Sequence, residues 1–401
     1  MDQQTVHQLV KATIPVLREH GVALTTHFYQ RMFHHNPELL QIFNRSHNAT
    51  GKQPMALAGS VLAYAENIDD PSVLAPVVNL IAHKHASLGI RAEHYPIVGK
   101  HLLASIQEVL GDAASPELIE AWAIAYQKLA DIFIQAESQL YYDATNQEGG
   151  WSGWRPFKIS RKVIESAEIT SFYLVPSDGG ALPRYRAGQY TTVRVFVPAW
   201  NVVQPRQYTL SDAPNGEYFR ISVKREAGNN DTPAGQVSNR LHEAFHEGDL
   251  IDLAPPFGDF FLDEDSTAPL LLISGGVGIT PMMAILNRLL ALNSTRPVHF
   301  IHACRNADVF AFGESLQQLA ATHAHLQLHL FHDQAPVGST SAQIAPMQLS
   351  DLAPVLPLAE AECYLCGPVG FMQTHIAALQ QLGVSKQRIH AELFSTGGID
   401  I

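Results

Sequence analysis

The chain has 401 residues, 46% hydrophobic and 16% charged, with a formal net charge of −12. Such a length predicts two or three domains and the composition argues against disorder, while the acidic balance without a Lys/Arg run excludes nucleic acid and stable membrane association as partners. The N-terminus shows no signal peptide, no apolar run approaches the roughly 20 residues of a membrane span, and Cys304, Cys363 and Cys366 make no disulfide framework, so a cytoplasmic protein is expected.

Residues 1 to about 145 read as helices. VALTTHFYQRMF, MALAGSVLAYAENI, LIAHKHASL, YPIVGKHLLASIQEVLG and LIEAWAIAYQKLADIFIQAESQLY repeat apolar residues at three- and four-residue steps. Pro37, Pro54, Pro71, Pro96, Gly111 and Pro116 punctuate them. NQEGGWSGW then reads as a linker. After it the period shortens: KISRKVIESAEITSFYLVP, GQYTTVRVFVP, RQYTLSD and YFRISVKRE alternate as strands, with turns at Asp178-Gly179-Gly180 and Asn215-Gly216. From about residue 267, the strand-like PLLLISGG, VHFIHACRN, LQLHLFHD and ECYLCGP alternate with helical stretches, a parallel α/β pattern. The expected fold is an all-α domain (1–147), an antiparallel β-barrel domain (152–264) and an α/β parallel-sheet domain (267–401). CYLC has no second cysteine pair to complete a zinc site.

In the helical zone, NLIAHKHASLGI carries two histidines. On a helix from Val77 to Leu88, His85 shares a face with Leu74, Val78, Ile81 and Leu88, while His83 points away as a solvated surface residue. Taken alone, His85 reads equally as a core histidine with one hydrogen bond or as a ligand. An all-helical unit with a histidine on an apolar face suits heme, whose iron takes a neutral imidazole.

THFYQRMF, NPELLQIFN, GKQPMAL, IAHKHASLG, HYPIVGKHLL and ADIFIQAESQLY together resemble the globin domain of bacterial flavohemoglobins. The resemblance implies His85 as proximal ligand of heme b iron, with Tyr95 and Glu137 behind it. It places Tyr29 and Gln53 over a bound ligand, Leu57 one turn past Gln53 as an apolar ceiling, and Phe43 against the heme edge.

Arg206-Gln207-Tyr208-Thr209 follows a strand, and Arg-x-Tyr-Ser/Thr suits a flavin: a charge-assisted fork for the pyrophosphate, a ring for the isoalloxazine and a hydroxyl for a flavin nitrogen. Tyr190 supplies a second aromatic. Gly235-Gln236-Val237-Ser238 opens the helical RLHEAF, whose leading N–H groups can hold a phosphate. The set resembles the ferredoxin-reductase-like FAD domain.

LLLISGGVGITPM runs a buried strand into Gly275, Gly276, Val277 and Gly278, then Ile279, with Thr280-Pro281 expected to open a helix and Pro281 at its first position. This is a turn for the pyrophosphate of NAD(P). The resemblance puts Cys366-Gly367-Pro368 beside the nicotinamide and Glu392 and Phe394 near the flavin. Two departures stand out: Phe394-Ser395-Thr396-Gly397 replaces the usual Phe-Gly-Pro ending, and the 227–235 loop is long.

The resemblance implies a monomeric oxidoreductase that passes electrons from NADH or NADPH through FAD to heme and oxidises nitric oxide (NO) with O2 to nitrate. It also implies a distal pocket that can hold lipid. Two alternatives are a hydroperoxide reductase and an O2 or NO sensor whose reductase half resets the heme. Arg305 in HACRNAD can meet a 2′-phosphate or equally be a surface arginine; the reading leans to NADH.

Overall fold

The computed structural model describes residues 1–44, 50–230, 233–333, 343–344 and 346–394. They divide into two compact units. One combines Met1–Trp154 with Arg194–Arg206; the other holds Arg155–Val193 and the described residues from Gln207 onward.

The first unit is built on α1 (Gln3–Ala12), α2 (Ile14–His35), α3 (Lys52–Glu66), α4 (Ala75–Leu88), α5 (His94–Leu110) and α6 (Pro116–Thr145), with 3₁₀ turns at Pro37–Gln41 and Pro71–Leu74. The prolines work as starters. Pro54 and Pro96 lie in the first turns of α3 and α5 and Pro116 is the first residue of α6, positions whose N–H groups have no helical partner to lose. Ser115 caps α6 by accepting the Leu118 N–H at 3.2 Å. Gly89, at φ 77°, ends α4 in the left-handed conformation that glycine adopts without strain. Apolar stripes then meet in a core around Phe28, Met32, Tyr64 and Trp122. A smaller core of Ala82, Ile90, Tyr95, Ala130 and Phe133 lies beneath α4.

Helix α4 starts two residues earlier than the sequence suggests. Leu74 belongs to the preceding 3₁₀ turn and packs in the larger core, whereas Val78, Ile81 and Leu88 join the smaller one. His83 is half-buried and engaged in an interaction, so its reading as a solvated residue is corrected.

An antiparallel sheet follows: β1 (Arg155–Ile164), β2 (Ile169–Pro176), β3 (Tyr190–Val197), β4 (Val202–Thr209), β5 (Phe219–Lys224) and β6 (Leu250–Leu253), in the order β4-β3-β6-β1-β2-β5. Its two edges meet through a bridge between Leu210, just past β4, and Ile221 of β5, which closes the sheet as expected of a small barrel. Helix α7 (Gln236–Ala244) packs on β5.

The parallel sheet comprises β7 (Leu270–Gly275), β8 (Val298–Cys304), β9 (Leu326–His332), β10 (Gln343–Ile344), β11 (Glu362–Cys366) and β12 (Ile389–Glu392), ordered β10-β9-β8-β7-β11-β12. Helices α8 (Ile279–Ala291), α9 (Gly313–Thr322), α10 (Leu349–Leu352) and α11 (Val369–Gln381) accompany it. The order in which successive strands are added reverses at β7, whose neighbours β8 and β11 both run parallel to it. Open α/β sheets bind nucleotides at such a switch point. Cys363 and Cys366 fall on opposite faces of β11, in different cores, so they cannot share one ligand.

Candidate functional site

Side chains from α5 and α6 converge on His85 of α4. Its Nδ1–H donates to Glu137 Oε1 at 2.7 Å, and the Tyr95 hydroxyl donates to the same oxygen at 2.5 Å. Nδ1 and the Tyr95 oxygen lie 3.2 Å apart. The Phe133 ring stands 5.6 Å from the imidazole. With Nδ1 committed as donor, Nε2 carries the lone pair, which is the tautomer a metal needs. Glu137 is 2% exposed. Burial, then the Glu137 carboxylate, pushes the Tyr95 hydroxyl well above its usual range, so Tyr95 stays a donor.

The sequence reading missed a second layer. Tyr126 donates to the Tyr95 carbonyl at 2.7 Å, and Tyr141 to the Ile90 carbonyl at 2.5 Å. Tyr126, Ala130, Phe133, Glu137 and Tyr141 form one stripe along α6 at steps of three and four. That spacing was the available signal.

A second group surrounds Tyr29. Its hydroxyl, buried and raised in pKa by that burial, accepts a hydrogen bond from the Gln53 side chain. Gln53 Oε1 is buried and makes no hydrogen bond among the described residues. The Tyr29 ring meets Phe43 edge-on at 5.9 Å, and Leu57 packs on the same core. Because Gln53 donates to the phenol oxygen, the hydroxyl proton is free for another acceptor. A cleft of about 450 Å³ in this unit is lined by Ile42, Leu88 and Ile97, among others.

In the antiparallel sheet, β4 carries Arg206, Gln207, Tyr208 and Thr209 in series, and Tyr190 begins β3. Gln207 is exposed and Thr209 buried. Arg206 donates to the Pro205 carbonyl at 2.7 Å. Gly235 caps α7, followed by Gln236, Val237 and Ser238. A Cβ at Gly235 would fall 2.5 Å from Ser238 Oγ and 2.9 Å from Glu226 Cβ, so this approach needs glycine.

In the parallel sheet, the run from Gly275 departs from expectation in one detail. Gly276–Gly278 forms a 3₁₀ turn and α8 begins at Ile279, making Pro281 the third helical residue rather than the first. The turn already supplies helical geometry, and Thr280 donates to the Val277 carbonyl at 3.0 Å. The Gly278 backbone lies against Cys366-Gly367: a Cβ there would stand 2.1 Å from the Cys366 carbonyl oxygen. The two segments expected at the nucleotide are thus adjacent. Pro368 caps α11. Glu392, buried, pairs in register with Cys366, and Phe394 is exposed. Residues 395–397 of the tail, and Asp231 and Thr232 of the 227–235 loop, lie outside the described residues. Arg305 is not free; it forms an ion pair with Glu168.

Among the described residues no helix is long and apolar enough to cross a membrane. A family model described as Globin matches residues 26–133, and one described as Oxidoreductase NAD-binding domain matches residues 272–376. The chain is 54% identical over 400 residues to a flavohemoprotein of Chromobacterium violaceum, covering 99% of this chain and 98% of that one. It is 55% identical over 400 residues to a flavohemoprotein of Bordetella parapertussis, covering 98% of each. It resembles the crystal structure of a flavohemoglobin from Malassezia yamatoensis with bound FAD and heme, with TM-score 0.86, 29% identity and coverage of 98% and 99%. The FAD/NAD binding domain of a nitric oxide dioxygenase from Vibrio cholerae matches with TM-score 0.56 and 41% identity, over 60% of this chain and 98% of that one.

Proposed function

Because the chain belongs to the flavohemoprotein family, we propose that it is a nitric oxide dioxygenase, spending NAD(P)H and O2 to turn NO into nitrate. It is an oxidoreductase. We read it as three working segments, 1–147 for heme, 152–264 for FAD and 267–401 for the nicotinamide nucleotide.

The residues present fit these groups. His85 offers Nε2, a buried Gln53 oxygen lacks a partner among the described residues, and Gly235 and Gly278 keep backbone close where a side chain would collide. When bound, heme supplies dioxygen binding and one-electron chemistry, and FAD converts a hydride pair into single electrons.

The observation that carries the reading is the Glu137–His85 hydrogen bond at 2.7 Å. A carboxylate accepting from Nδ1 gives the imidazole anionic character, which favours oxygen chemistry over storage. Tyr95, donating to the same carboxylate oxygen, fixes its orientation. On the other side, Tyr29 stays protonated and, with Gln53 donating to its oxygen, points its proton toward a bound ligand. Phe43 and Leu57 keep water out. In the reductase half, Arg206 meets the FAD pyrophosphate, Tyr208 and Tyr190 pack on the flavin, Thr209 reaches a flavin nitrogen and the start of α7 holds a phosphate. Gly275 to Pro281 hold the nucleotide pyrophosphate. Cys366 to Pro368, Glu392 and Phe394 flank the nicotinamide and flavin.

The test is NO disappearance and nitrate formation by the purified protein with NADH, in air and without oxygen. Rapid conversion that requires O2 is expected. Persistence of NO in air while NADH reduces flavin and heme would overturn the assignment.

A further inference from the structure

The order β9-β8-β7-β11-β12 follows the doubly wound nucleotide-binding pattern, in which the C-terminal end of the second strand faces the adenosine ribose. Here the second strand is β8, and the first residue beyond it is Arg305. A guanidinium there is placed to take the 2′-phosphate of NADPH. It is already engaged, because Arg305 donates to the Glu168 carboxylate.

Glu168 is held there by its backbone. It ends the turn before β2. Arg225 N–H donates to the Glu168 carbonyl at 2.7 Å, and Ala167 N–H donates to the Asp308 carbonyl at 2.8 Å, three residues past Arg305. The turn is therefore pinned to the loop it faces. Two more acidic residues are tied to the same strand end. Asp308 lies in that loop, and the Asp333 N–H donates to the Cys304 carbonyl at 3.2 Å. Glu168 thus engages Arg305 directly, and the backbones of Asp308 and Asp333 are tied at the same strand end. A 2′-hydroxyl can donate to a carboxylate, whereas a 2′-phosphate adds about two negative charges to an acidic setting.

We infer that Glu168 sets the reductant specificity toward NADH by engaging Arg305 and withholding it from a 2′-phosphate. The inference rests on the nucleotide-domain reading and not on the NO chemistry. The side chains of Arg305 and Glu168 are 59% and 29% exposed, so the pair can be broken without disturbing the core.

The full flavin-loaded protein is assayed with ferricyanide as acceptor, which bypasses heme and NO. Wild type should favour NADH in kcat/KM. Glu168→Gln should raise kcat/KM for NADPH about fivefold, the size of one exposed ion pair removed from competition, with NADH within twofold. Adding Arg305→Leu should abolish the gain. Calorimetry gives a second readout: 2′,5′-ADP should bind Glu168→Gln about fivefold tighter, and 5′-ADP should not. A wild type that prefers NADPH, an equal shift for both nucleotides, or a gain that survives Arg305→Leu would each overturn the inference. If neither nucleotide reduces the flavin, the nucleotide-domain reading falls and takes this inference with it. A failed NO assay would leave it standing.

Discussion

The helical unit and the parallel sheet solve the same problem, holding a reactive group, by different means. Around His85 the work is done by side chains from distant segments: Tyr95, Phe133 and Glu137 lie 10, 48 and 52 positions away in sequence. Around Gly278 it is done by backbone, and the requirement is the absence of a side chain. The first arrangement tunes a ligand and tolerates graded change. The second excludes bulk and fails at once when bulk is added.

The comparison can be broken at its strongest points. His85→Ala should abolish heme binding, seen as loss of the Soret band, and lower nitrate formation by more than ~100-fold, since it removes the imidazole that Glu137 tunes. NADH reduction of ferricyanide should persist. Gly278→Val is the mirror experiment. A Cβ 2.1 Å from the Cys366 carbonyl oxygen forces the two loops apart, and NADH-driven flavin reduction should fall by about 100-fold while the Soret band stays. Equal damage to both activities from either variant would erase the distinction.

Smaller effects sharpen it. Tyr29→Phe removes one donor and leaves the ring packing. NO turnover should fall by about tenfold, the cost of one charge-assisted hydrogen bond, with faster O2 release by flash photolysis. An unchanged rate would remove Tyr29 from the mechanism. The mildest effect is acid sensitivity of the second unit. Burial holds His302 at about 3 and His375 at about 4. The unfolded chain therefore binds protons that the folded one refuses. Stability is whole above about pH 6.5 and declines toward the folded values, by about 1 kcal/mol per histidine at pH 5.5. Flavin fluorescence across a pH series should show this loss, and His302→Phe should reduce it.

Both strategies explain what the sequence disclosed. Backbone strategies leave contiguous traces, so GGVG, CGP and RQYT were legible as short strings with a strand before or a helix after. The prolines of the helical unit were legible for a similar reason, because the first helical turn accepts them. Side-chain strategies scatter. His85 by itself was ambiguous between core and ligand, and only the resemblance nominated Glu137 and Tyr95. Tyr126 and Tyr141 escaped, although they share the stripe that carries Glu137, because a tyrosine on an apolar stripe looks like packing. Helix α8 starts two residues before Pro281, because the 3₁₀ turn at Gly276–Gly278 already supplies helical geometry and leaves proline no starting role. Arg305 could not be resolved at all, since its partner Glu168 lies 137 residues away.

The three cysteines have a consequence of another kind. All are buried, and burial raises the thiols of Cys304 and Cys363 to about 12. Sulfur becomes nucleophilic only as thiolate. In the folded protein these atoms are therefore chemically silent toward alkylating and nitrosating agents. They answer when a strand end opens to solvent, so the rate at which iodoacetamide labels each one is a clock for the opening of its own strand, with β8 and the two faces of β11 read separately in a single native sample.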